Sequence, residues 1–138
     1  MNTISKVWFD NDRIFIATDE AKTYSRPLEA FPLLKDATVE ERNAFTIGRF
    51  GDDIRWEGLD EDIHISSFFE TTEPVYDNEV GHLFHQFPQL NVSEMARYIG
   101  INKSLLAKYI YGIKRPTPER MQQIKSAMHI LGQQLMAV

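Results

Sequence analysis

The sequence predicts an α+β fold in which a small, mainly antiparallel sheet domain with short helices, residues 1–73, precedes an all-α domain, residues 74–138. Three observations lead there. Short apolar runs separated by turn residues fill the first half, apolar residues at helical spacing behind capping residues fill the second, and the charge changes sign between them. Residues 1–88 carry 8 Lys/Arg against 18 Asp/Glu, a balance of −10, whereas residues 89–138 carry 7 against 2, a balance of +5. The net charge of −5 conceals an acidic module joined to a basic one, and the basic one is suited to face a polyanion.

The strands come first. Ile4-Ser-Lys-Val-Trp-Phe9 and Arg13-Ile-Phe-Ile-Ala-Thr18 flank the turn residues Asp10-Asn-Asp12, which is a hairpin pattern. After Asp19-Glu20, Lys22 to Arg26 can add a third strand, which Pro27 ends because proline donates no ladder hydrogen bond. Leu28 to Leu34 is apolar but broken by Pro32, so a short helical turn or loop is expected there. Thr38 can cap a short helix ending near Asn43, with Glu40 and Glu41 toward its positive end. Phe45 to Phe50 and Ile54-Arg-Trp56 read as a second hairpin around Gly51-Asp-Asp53, and Ile63-His-Ile65 as one more strand.

Thr38-Val-Glu-Glu-Arg-Asn-Ala-Phe45, Gly51-Asp-Asp-Ile-Arg-Trp56 and Leu59-Asp-Glu-Asp-Ile-His-Ile65 together resemble a bacterial family catalogued as domain of unknown function 2442. The likeness spans about residues 4–70. It implies a fold and no catalytic residue; it also implies a setting, since members of that family are often encoded beside small toxin-like proteins and some carry a C-terminal DNA-binding domain.

In the second half, Pro74 to Phe87 places Val80, Leu83, Phe84 and Phe87 at helical spacing, as a first helix. Asn91-Val-Ser-Glu94 has capping-box spacing, so Asn91 accepts an amide of the first turn while Glu94 reaches back. Met95, Ala96 and Ile99 share one face. Gly100 suits a helix C-terminus, Asn102 can cap a further helix through Ile110, and Gly112 stops it. The outcome is helix, tight turn, helix. Thr117-Pro118-Glu119 then starts a last helix whose Met121, Ile124, Met128, Leu131 and Leu135 alternate at three and four. Such a stripe covers the core of a small domain first, and any excess can join two copies.

Ser93 to Pro116 resembles the helix-turn-helix of phage-repressor-like transcription regulators, a likeness that runs across residues 91–117 with the alanine, both glycines and the proline at matching places. The resemblance implies that the second helix of the motif enters the major groove. It puts Lys103, Ser104 and Lys108 at base-contact positions, where lysine can donate to guanine and serine is permissive. It puts Asn102, Tyr111, Lys114 and Arg115 where that family meets phosphate. Two features depart from the pattern: Val92 stands where such regulators carry a glutamine, and Leu105 and Ile110 occupy positions that are usually polar.

Other chemistries find little support. There is no cysteine, which excludes disulfides, thiolate metal sites and cysteine nucleophiles and suits the cytoplasm. No run approaches the roughly 18 apolar residues of a membrane span, and the start lacks an apolar signal core, so no membrane partner is expected. Asp60-Glu61-Asp62 lacks calcium-loop spacing, and His82 and His85, three apart, lack a third ligand nearby; neither suggests a metal. The expectation is a non-enzymatic, cofactor-free regulator that binds double-stranded DNA as a homodimer. The alternative is an antitoxin-like module whose acidic half binds a basic, toxin-like protein.

Overall fold

Three antiparallel strands, β1 (Ile4–Asp10), β2 (Arg13–Thr18) and β3 (Thr23–Pro27), form the first sheet of a computed structural model that describes residues 2–138. Asn11 and Asp12 both take positive φ, 49° and 61°, which gives the two-residue turn whose twist matches paired strands. Register sets Val7 opposite Ile16 and Trp8 opposite Phe15. Ile4, Val7, Ile14 and Ile16 are therefore buried on one face, while Trp8 and Phe15 stack on the other at 5.5 Å between ring centres.

The second sheet has the order β4 (Thr46–Ile47), β5 (Asp53–Trp56), β6 (Glu61–His64), again antiparallel. Two short helices precede it, α1 (Pro32–Lys35) and α2 (Val39–Asn43). Thr38 caps α2 with a reciprocal box, its hydroxyl accepting the Glu41 amide at 3.1 Å while the Glu41 carboxylate accepts the Thr38 amide at 2.9 Å. Trp56 is fully buried among Ile14, Leu34, Ile54 and Phe68, and its indole N–H donates to the Arg42 carbonyl at 2.8 Å. That bond ties β5 to the end of α2.

Three strands differ from expectation. The third strand of the first sheet runs Thr23–Pro27 and includes Pro27, opposite Arg13, because β3 is an edge strand, where proline is tolerated. The Phe45–Phe50 strand is only Thr46–Ile47, because Gly51 N–H turns back to the Gly48 carbonyl at 2.9 Å and leaves Phe50 73 % exposed. The Ile63–Ile65 strand is Glu61–His64 instead: it starts inside the acidic triplet, and Ile65 opens a 3-10 turn to Phe69.

Val75–Val138 makes a second compact unit, distinct from the one that ends at Pro74. It contains α3 (Glu79–Gln86), α4 (Val92–Ile99), α5 (Lys103–Ile110) and the 19-residue α6 (Pro118–Met136). Val80, Phe84, Met95, Ala96, Leu106, Tyr109 and Ile124 form its buried centre. Met121, Met128 and Leu131 pack against it from α6, but Leu135 is 65 % exposed, so the stripe outruns the core. Phe87 lies just beyond α3 and is exposed, since the helix stops at Gln86.

Candidate nucleic-acid interface

Cap chemistry sets the angle between α4 and α5. Asn91 Oδ1 accepts the Glu94 amide at 2.9 Å and begins α4. The expected return bond is replaced: the Glu94 carboxylate takes Arg97 one turn on, at 2.9 Å, where opposite charges satisfy each other. Gly100 closes α4 at φ 90°, and both the Gly100 and Ile101 amides donate to the Ala96 carbonyl at 2.9 Å. Asn102 Oδ1 then accepts the Ser104 amide at 2.7 Å and starts α5. Ala96, nearly solvent-free, lies in the shared core with Leu106 of α5.

This packing sorts the faces of α5. Leu106, Ala107 and Tyr109 are buried. Leu105 and Ile110 also lie against the core, as does Val92, so all three apolar departures from the regulator pattern are core positions. Ser104, Lys108 and Tyr111 follow at four and three residues, one stripe of the helix, with the exposed Lys103 beside it. The Ile113 and Lys114 amides both fold back to the Lys108 carbonyl, at 3.0 and 3.3 Å, which carries the exposed Lys114 and Arg115 past the end of the same helix. Asn102, its carbonyl oxygen used in the cap, keeps an outward amide as a donor.

Electrostatics favour an anion here. Residues 95–118 contain five Lys/Arg and no carboxylate. Four of those cations, Lys103, Lys108, Lys114 and Arg115, belong to α5 and its exit loop. The Tyr111 ring meets Tyr76 edge-on at 6.3 Å between centres, which holds its phenol near the stripe. Beside Lys114 and Arg115 lies a cleft of about 530 Å³ lined also by Val75, Tyr109 and Met121 and by two carboxylates, Asp77 and Glu79, which are paired with His82 and Lys125.

The acidic triplet of the first unit has another task. Arg55 Nη1 donates to Asp62, Nη2 to Asp60 (both 2.9 Å) and Nε to Glu57 at 3.0 Å, and these partners hold the guanidinium above its ordinary value. Among the described residues no group of three His, Asp or Glu is placed to hold a metal ion, and His82 pairs with Asp77 at 2.7 Å. Nor, among those residues, is any helix long and apolar enough to cross a membrane.

The first unit's span coincides with a known sequence family. Residues 4–71 match the family described as Protein of unknown function (DUF2442). The match leaves α3 to α6 outside it. No curated protein matches the chain. Among solved structures, it is similar to the crystal structure of a "Putative DNA Binding Protein" from Nitrosomonas europaea, at 11 % identity over 90 % of this chain and 84 % of that one, with a TM-score of 0.37.

Two residues with structural roles were not singled out in the sequence. Buried Arg26 sends Nη1 to the Thr72 and Glu70 carbonyls at 2.6 and 3.2 Å, and burial lowers its proton affinity. Asn78 reaches from the start of α3 to the end of α5. Arg26 acts across more than 40 positions, where no local pattern marks it; Asn78 has the residue type of a cap and bonds the Gly81 amide three positions on, but its bond to the Ile110 carbonyl, 32 positions away, leaves no local pattern.

Proposed function

We propose that the protein is a DNA-binding transcription regulator whose helical unit is a helix-turn-helix module reading the major groove with α5. The observation that carries the reading is the cationic stripe and exit loop of α5, on a helix fixed against α4 by a glycine turn. With its side chains a helix is about 10–12 Å across, which fits the roughly 12 Å width of the major groove. In this reading Lys103, Ser104 and Lys108 reach base edges, and Asn102, Tyr111, Lys114 and Arg115 hold phosphates. The acidic N-terminal unit takes the sensor or partner role, and no catalytic residue, metal or cofactor is invoked.

A single α5 reads few base pairs, so the proposed active form is a homodimer with two such helices about 34 Å apart. Met128 and Leu131 are engaged with the core, which leaves Leu135 at the end of the same stripe and its neighbour Met136, 65 % and 88 % exposed, as the apolar contact.

The test is a fluorescence-anisotropy titration with duplexes from the gene's own upstream region and from unrelated DNA. Affinity is expected to fall as salt rises, with a log–log slope of about −0.9 for each phosphate neutralised. Lys103→Ala and Lys108→Ala should each cost about 1–3 kcal/mol of discrimination between duplexes. Lys114→Ala should weaken all of them alike and reduce the slope by about 1. No binding to any duplex at low salt overturns the proposal.

A further inference from the structure

The C-terminal end of α5 is held by the chain that enters the helical unit. Asn78, the N-cap of α3, uses both ends of its amide: Oδ1 accepts the Gly81 amide at 2.8 Å, while Nδ2 donates to the Val75 carbonyl at 2.6 Å and the Ile110 carbonyl at 3.0 Å. The Val75 amide in turn donates to the Tyr111 carbonyl at 2.9 Å. Carbonyls in the last turn of a helix have no partner within the helix, and in α5 two of them are taken by residues 75 and 78.

Two glycines allow this approach. A Cβ on Gly81 would lie 2.8 Å from the Ile110 carbonyl oxygen, and one on Gly112 would lie 2.1 Å from the Val75 carbonyl oxygen. Both obstructions are backbone, so neither can swing aside. The clip thus has four points, Val75, Asn78, Gly81 and Gly112, and all converge on residues 110–112.

We infer that Asn78 is a positioning residue for α5, an inference that rests on the reading of α5 as the DNA-contacting helix. The N-terminal end of α5 is fixed by the turn at residues 100–102, so the C-terminal end decides the tilt. Over about 12 Å, a tilt of about 10° moves that end by about 2 Å, more than a hydrogen bond tolerates. The groups displaced are those nearest the clip, Lys108, Tyr111, Lys114 and Arg115. Asn78 touches no nucleic acid itself; it sets where those four stand.

The experiment compares full-length Asn78→Asp and Asn78→Ser with the wild-type chain, at a temperature where circular dichroism shows all three folded. Both substitutions keep an oxygen that can cap α3 and remove the two N–H donors; serine does so without adding charge. Each is expected to weaken duplex binding about tenfold and to flatten its salt dependence, as the phosphate contacts of Lys114 and Arg115 lose register. Hydrogen exchange at the Tyr111, Gly112, Ile113 and Lys114 amides is expected to speed up in both variants. Wild-type affinity and slope in a folded Asn78→Ser overturns the positioning role, as does unchanged exchange at those amides. An effect confined to Asn78→Asp also overturns it, by assigning the loss to charge. If the wild-type chain binds no duplex, the DNA reading fails, and the exchange rates alone decide whether the clip holds α5.

Discussion

Replacing Gly112 by alanine tests the clip through stability, with Gly100→Ala as the reference. Both glycines have positive φ, 72° and 90°, so a Cβ costs about 1–2 kcal/mol at either from backbone strain. Around Gly100 nothing lies within 4 Å of the added carbon, and that cost is the whole effect. At Gly112 the added carbon falls 2.1 Å from the Val75 carbonyl oxygen, over an ångström inside ordinary contact. Val75 must withdraw, which gives up its amide bond to the Tyr111 carbonyl and strains the Asn78 bond to its own carbonyl. Losing one such bond adds about 1 kcal/mol, and disturbing the second brings the excess over Gly100→Ala to about 1–2 kcal/mol. For a unit of this size that excess is about 4–16 °C in the melting midpoint. The assay is thermal unfolding followed at 222 nm, where helical ellipticity is read. Equal midpoints for the two variants would refute the argument, since they would mean that residue 75 is not pressed against the α5 exit.

Trp56→Phe should destabilise the first unit by about 2–4 kcal/mol in urea unfolding, because a fully buried indole is truncated and the Arg42 carbonyl loses its donor. The Asp19 carboxylate accepts the Thr3 amide at 2.9 Å, which holds its pKa below the ordinary carboxylate value in the folded state. A folded value below the unfolded one gives stability that is present above the unfolded pKa and lost as pH falls through the folded one. Carboxyl NMR titration should show the low midpoint, and Asp19→Asn should remove that part of the acid-side loss. For the proposed homodimer, light scattering should give twice the chain mass at tens of micromolar, and Leu135→Asp with Met136→Asp should halve it; a dimer that survives both places the contact elsewhere.

What the sequence disclosed about the fold is what acts over a few residues. The caps at Thr38, Asn102 and Thr117 were legible because each bonds an amide two or three positions ahead. The cap at Asn91 was legible only in part: Glu94 had a choice between the cap amide and Arg97, and spacing does not rank them. Periodicity found α6 but not how far the core reaches beneath it, so Leu135 read as equivalent to Ile124, although one is exposed and the other fully buried. The hairpin turn at Asn11-Asp12 was plain from its residue types, whereas Ala21 at φ 62° was not, since alanine is no marker of a left-handed turn.

The candidate interface divides the same way. Its cations could be named from the sequence because they follow α5 and its loop in order. Whether Leu105 and Ile110 were surface or core could not, because helical spacing gives angles and only the neighbouring helices decide which angles are covered. Once α3 and α6 are in place, the two apolar residues turn inward, and the stripe that remains outside is Ser104, Lys108 and Tyr111 with Lys103 alongside. The charge pattern agrees with that division. The unit from Val75 onward carries seven Lys/Arg and four Asp/Glu. Glu79 pairs with Lys125 and Glu94 with Arg97, while Asp77 bonds His82. Three of its four carboxylates are thus already paired, Asp77 and Glu79 beside the α5 exit among them, and α5 itself carries cations only, its two ends held by the Asn102 cap and by Asn78. A cationic helix held at both ends, with the nearby carboxylates already paired, is what the proposed contact with a polyanion requires, and it arises here although the whole chain is acidic.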